Sequence, residues 1–238
     1  MNKNSHRGFT LMETLLSITV VAILLTSFLA VFGPATNSIR QAVSIQDADR
    51  LASALEKELR TLNEDEINTF DTAFDKAFEW ISNSNTLSSS IVLFNYRGDT
   101  SQITDGKFEP YLNTDGSPGQ DYLVQSVVRR LDGSNNDLEQ LMEAVEGRVF
   151  LVRMRQLVPD ANGGLTTASA GSGIVDSEGA TAASSQDFQD AAIAFQGDFY
   201  LLPANTFQYL TGPLTAGGAD FDSVLGNPLF TRSMAVRR

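Results

Sequence analysis

The sequence contains no cysteine and only one histidine, His6. The first absence excludes disulfides, thiolate zinc sites and cysteine nucleophiles together. The second leaves a single imidazole, placed in the short basic start of the chain. If that start is a removable leader, neither a Ser-His-Asp triad nor a histidine-ligated metal site is available to the remainder. Basic charge is also scarce, 17 Lys and Arg against 29 Asp and Glu. Without residues 1–8, which hold Lys3 and Arg7, 15 basic side chains face 29 acidic ones, a net charge of −14. A body that acidic repels the phosphate backbone, so no nucleic acid is expected as a partner.

Signs of catalysis are equally thin. Carboxylate pairs occur in "NEDEIN" at 63–68 and "DFD" at 220–222, but 29 acids generate such pairs by chance, and solvated charge is the better reading. The glycine-rich "GGLTTASAGSG" lacks the lysine and helix context of a phosphate loop. No catalytic residue and no enzymatic activity are expected.

Charge is missing most completely near the start. From Phe9 to Phe32 there are 24 residues with Glu13 as the only charge. As a helix at ~1.5 Å per residue they span roughly 36 Å, more than the ~30 Å of a hydrocarbon core. Lys3 and Arg7 precede the run and no acid does, which predicts a cytoplasmic amino terminus and the rest of the chain beyond the membrane. A plain signal anchor explains the length and basic flank, but not Glu13 or Gly8. A cleaved secretory signal ending at Ala35 has too long an apolar region, since ~7–15 residues are usual. A soluble core helix rarely needs 19 uncharged residues in a row, as at 14–32.

The stretch "RGFTLMETLL" resembles the amino-terminal signature of type IV pilins and of the pseudopilins of type II secretion systems. The resemblance covers about the first 30 residues. It implies that a membrane-embedded prepilin peptidase cuts after Gly8 and methylates the new amine on Phe9. It also implies that Glu13, at the family's glutamate position, pairs with the amine of a neighbouring subunit. The expected partners are that peptidase/methyltransferase, other pilin or pseudopilin subunits, and the inner membrane. The expected placement is single-pass, with the head periplasmic or extracellular. Many relatives carry a mid-helix proline where this chain has Ala30. Here Gly33-Pro34 follows instead, and proline disfavours helix in the residue before it, predicting a kink or break.

Beyond the membrane run, residues 36–62 read as a helix with an apolar stripe of Ile45, Ala48, Ala52, Leu55, Leu59 and Leu62. A second helix is predicted over 65–81, with Ile67, Phe70, Phe74, Phe78 and Ile81 on one side as core rather than as a ligand box. Serine and asparagine mark a turn at 82–90. Strands are predicted at 90–96, 121–131, 148–158 and 191–202. A short helix falls at 136–147, capped by Asn136 or Asp137 and followed by Gly147. Residues 160–187 read as a flexible surface loop, and the segment from 203 on shows few clear strands.

The expected fold class is α+β, a long N-terminal transmembrane and assembly helix followed by a globular head with an antiparallel β-sheet and helices on one side. The expected division is a leader at 1–8, the membrane and assembly helix at 9–33, its amphipathic continuation at 34–62, and the head at 63–238. Asp115, Asp121, Asp132 and Asp137 lie in Asp-Gly-Ser clusters that read either as tight turns or as calcium loops; no other metal and no cofactor is expected. The head is large for a compact major subunit, which points to a minor, tip-associated subunit of the pilin W or pseudopilin J type. The alternative is a signal-anchored or secreted extracytoplasmic binding protein that does not assemble.

Overall fold

Uninterrupted apolar and helix-forming residues make the first element, helix α1, from Leu11 to Leu59. The computed structural model describes residues 10–63, 66–104, 107–111, 122–131, 137–169, 171–212, 214 and 221–238. The chain divides into two compact units, 1–43 and 44–238. In the first, every described residue is exposed, including Leu15, Ile18, Leu24, Phe28 and Phe32. The expected break at Gly33-Pro34 does not occur, because the helix continues through Pro34. Proline removes one backbone donor, but the hydroxyl of Thr36 donates to the Phe32 and Gly33 carbonyls at 3.1 and 2.9 Å, holding the turn together.

In the second unit α1 turns amphipathic and buries Ala48, Leu51, Ala52, Leu55 and Leu59. It ends before Leu62, which was expected on its stripe and lies half-buried outside the helix. Helix α2, Ala73–Asn83, starts later than the periodicity predicts. Thr72 is extended and its side chain accepts from the Asp75 amide at 3.1 Å, a cap that fixes the start there. Ile67 consequently lies outside the helix and is exposed, while Phe74, Ala77, Phe78, Trp80 and Ile81 enter the core. A 3-10 turn at Leu87–Ser89 buries Leu87 and leads into the sheet.

The strands are β1 Ile91–Thr104, β2 Lys107–Pro110, β3 Tyr122–Arg130, β4 Val145–Pro159, β5 Leu165–Thr167, β6 Ile174–Val175, β7 Thr181–Ala182, β8 Ala192–Leu201 and β9 Phe230–Arg237. Short helices α3 Leu138–Glu143, α4 Phe207–Thr211 and α5 Phe221–Leu225 are interspersed. The main sheet is antiparallel with order β2-β1-β4-β8-β9, β3 joining β1 and β5 joining β4. The head is thus α+β, as expected.

Period-two alternation splits the core. Leu93, Phe150, Val152, Phe195, Phe199 and Met234 pack on one face with α1 and α2. Val92, Phe94, Leu151 and Tyr200 pack on the other with Leu138, Leu141, Met142, Leu210 and Phe221. Helices on one side only was therefore incorrect. The run "RVFLVRM" is apolar on both faces, and a strand of that kind needs cover on both. Two further predictions shift. Gly147, with φ +86°, sits inside β4 rather than merely capping a helix. Asp137 occupies the N-cap position of α3 but makes no side-chain cap bond.

The segment 160–187 holds β5 and the β6–β7 hairpin rather than being structureless. Ile174 enters the core, and the Gln156 amide grips the Val175 backbone, donating to its carbonyl at 2.5 Å and accepting from its N–H at 2.7 Å. That bidentate bond is invisible in a glycine- and serine-rich sequence.

Candidate assembly site at the N-terminal helix

Gly8 and Phe9, the expected cleavage and methylation residues, lie outside the described residues, so the structure positions the site from Thr10 onward. Thr10 precedes the helix. Its carbonyl accepts from the amides of Glu13 and Thr14 at 3.0 and 3.2 Å, and its hydroxyl accepts from the Glu13 amide at 3.3 Å. This is the first half of a Thr-x-x-Glu capping box. Glu13 also stands in the first turn, where the helix dipole favours a carboxylate. The sequence signal for this local role of Glu13, beside the assembly charge expected of it, is the threonine three residues earlier.

Along the rest of the run the polar atoms are turned inward on the helix. Ser17, Thr19, Thr26 and Ser27 each donate to the carbonyl four residues back, at 2.6–2.8 Å, and Thr14 to that of Leu11 at 2.8 Å. Self-satisfied hydroxyls leave an outer surface of hydrocarbon, the condition for a helix in lipid. Phe28 and Phe32 stack with ring centroids 3.9 Å apart, adding to that surface. Glu13 is exposed, so within this chain its carboxylate meets solvent-accessible space rather than a buried partner.

Among the described residues, the head encloses two polar clusters. Lys76 is fully enclosed; its ammonium donates to Glu58 at 2.6 Å, Glu66 at 2.7 Å and the Thr61 carbonyl at 3.2 Å, and lies 4.9 Å from the Trp80 ring centre. Every donor is occupied, so the group is a clamp between the end of α1, the following turn and α2. On the opposite face, Asp198 accepts from Arg155 at 2.7 and 3.1 Å, from Arg153 at 3.3 Å and from Gln196 at 2.6 Å. Arg153 lies over the rings of Tyr200 and Phe221 at 5.5 and 5.2 Å, and Tyr200 donates to Asp222 at 3.0 Å. Burial pushes the Tyr200 phenol well above its ordinary value, against the pull of Arg153, so it stays protonated.

Of the expected acid pairs, Glu66 is committed to Lys76, and Asp222 to Tyr200 and, at 3.6 Å, Arg153. Of the calcium candidates, Asp115, Asp121 and Asp132 lie outside the described residues. Asp137 faces Arg129 at 3.4 Å. Among the described residues no group of three or more His, Cys, Asp or Glu side chains is arranged to hold a metal ion.

Residues 3–29 match the family model of the prokaryotic N-terminal methylation motif. No curated protein matches the chain. No solved structure matches it. The matched residues contain Gly8, Phe9, Thr10 and Glu13 and most of the apolar run, and the helix from Leu11 to Leu59 is long and apolar enough to cross a membrane. The motif implies processing by a prepilin peptidase and, in general, assembly with other pilin subunits. The chain thus carries a prepilin-type N-terminus on a single membrane-anchoring helix, consistent with the type IV pilin and pseudopilin family.

Proposed function

We propose that this chain is a structural, non-enzymatic subunit of a type IV pilus or a type II secretion pseudopilus, and a minor one. The observation carrying the reading is the methylation motif on a helix whose residues 10–43 are all exposed, with Glu13 its only charge up to Phe32. A carboxylate at bilayer depth costs several kcal/mol unless it finds a partner. Cleavage after Gly8 creates an amine on Phe9, about one helical turn from Glu13. In a filament the methylated amine of one copy neutralises Glu13 of its neighbour, and a charge satisfied only next to another copy sets the register of assembly.

Lys3 and Arg7 before the run favour a cytoplasmic leader, an inner-membrane span and a head on the far side. The bulk of residues 63–238 favours a minor, tip-associated place, since bulky heads stack poorly in a dense filament. The role calls for no cofactor.

The test is the intact mass and amino-terminal sequence of the protein recovered from its native membrane. The expected chain begins at Phe9 and carries one added methyl group. A chain beginning at Met1 or Thr36 would replace this reading with a signal-anchored or secreted binding protein.

A further inference from the structure

Strand β9 ends the main sheet and pairs only with β8, in unbroken register from Phe230 opposite Phe199 to Arg237 opposite Ala192. The Arg238 amide continues the ladder, donating to the Ala191 carbonyl at 3.0 Å. The backbone groups of even-numbered residues therefore face β8, and those of Thr231, Ser233, Ala235 and Arg237 face away. One outward group confirms the alternation: the Ala235 carbonyl accepts from the guanidinium of Arg60, the residue just past α1, at 3.3 Å. Among the described residues no strand covers this outer edge.

Sheet edges are ordinarily guarded by proline, by a bulge, by shortness or by charged side chains, and β9 has only the last, Arg232 and Arg237. β9 has eight residues, "FTRSMAVR", with neither proline nor glycine and no break in register. Thr231, Ser233, Ala235 and Arg237 are exposed, and apart from Arg237 they are small. Such an edge presents its outward backbone groups to a further strand, which has to displace Arg60 from the Ala235 carbonyl.

Charge selects the occupant. On a chain of net charge −12, the edge strand carries Arg232 and Arg237, the end of α1 carries Arg50 and Lys57, and Arg60 follows directly after the helix. The acids beside them are Asp49 and Glu56, both committed to Arg232, at 3.1 and 3.5 Å. Arg50 and Lys57 lie within about 60° of Ser53 around the helix, and Ser53 itself accepts from Arg232 at 3.2 Å. The β9 strand of a second copy, "FTRSMAVR", would bring no carboxylate to this cluster.

We infer that the outer edge of β9 is a docking strand for an extended, acidic segment of a partner protein. The segment adds to the sheet through the outward N–H and C=O groups of residues 231–237. Its carboxylates meet Lys57, Arg60 and Arg237, drawing Arg60 off the Ala235 carbonyl.

The test is to pan a phage-displayed library of random peptides against the full chain in detergent, with Ser233→Pro as the comparison. The proline removes an outward donor and leaves the bonds to β8, so its melting profile should match wild type. The expected result is enrichment of acidic peptides that bind wild type and lose binding to Ser233→Pro. Arg237→Glu should weaken them about tenfold, as should raised salt. Should Ser233→Pro melt early, Arg60→Glu combined with Arg237→Glu serves as the comparison, and loss of the acidic peptides is again expected. No enrichment, enrichment without acidic residues, or equal binding to the comparison variant overturns the proposal. So does concentration-dependent self-association through this edge, which would make a second copy the occupant.

Discussion

The Lys76 ammonium sits 2.6 Å from a Glu58 carboxylate oxygen, joining the last turn of α1 to α2 across 18 positions of sequence. Lys76 has no exposed side-chain surface, whereas Glu58 and its companion Glu66 keep about a fifth of theirs (20% and 18%). The lysine is thus the desolvated partner, and the two glutamates offset the cost of enclosing it.

Removing that lysine leaves two facing carboxylates with no cation. Lys76→Met should destabilise the head by about 3 kcal/mol, the lower end of the range for breaking a buried pair, because the glutamates are partly solvated. Urea unfolding of the full chain in detergent measures it. A loss under about 1 kcal/mol would mean the clamp behaves as a surface ion pair.

On the other face, Asp198 is the only carboxylate buried among Arg153, Arg155 and Gln196 in the described structure. Asp198→Asn keeps the shape but removes the charge opposite two guanidiniums. About 3 kcal/mol should be lost, and truncating Arg153 in the same chain should cost less than the sum of the single changes. Strict additivity in a double-mutant cycle would show that the two residues do not act together.

Acid should loosen the contact between α2 and the segment before β8. Burial pushes the Asp75 carboxyl up, but hydrogen bonds from Ser185 and Thr72, with Arg238 nearby, outweigh it and hold the group below its ordinary value. A lowered value in the folded state means that the unfolded chain binds the proton more readily. The stabilisation is therefore complete above about pH 3.9 and declines as pH falls through and below that value. An acid titration of thermal midpoint should be shallower in Asp75→Asn than in wild type; parallel curves would assign the acid sensitivity elsewhere.

At the start of α1 the two roles of Glu13 are separable. Thr10→Ala removes the hydroxyl cap and should cost the first turn about 1 kcal/mol, read as lower amide protection at residues 11–14. Glu13→Ala should leave membrane insertion and leader removal intact but lower incorporation into sheared filaments, while Gly8→Leu should leave a full-length precursor. Equal recovery of Glu13→Ala and wild type in filaments would count against the charge-pairing account.

Much of this protein was legible wherever the signal is local. The uncharged run at 14–32, the glutamate inside it and the basic residues before it are set by sequence alone, because a helix in lipid satisfies its own backbone and needs no distant partner. The apolar stripe of α1 and the alternating cores of β1, β4 and β8 are local in the same way. Strand β9 was missed for the opposite reason. Only Met234 and Val236 are fully buried along it, a pattern too short to announce a strand, and it forms because β8 offers an edge to pair with. Lys76, which nothing in the sequence singles out, is enclosed because Glu58 and Glu66 arrive from other elements. The segment 160–187 is held by contacts to other elements: β5 on β4, Gln156 on Val175, and Ser185 on Asp75. Sequence determined which stretches are apolar and at what period. Tertiary structure decided which polar groups are enclosed and which edges stay open, because both depend on partners far apart in the chain.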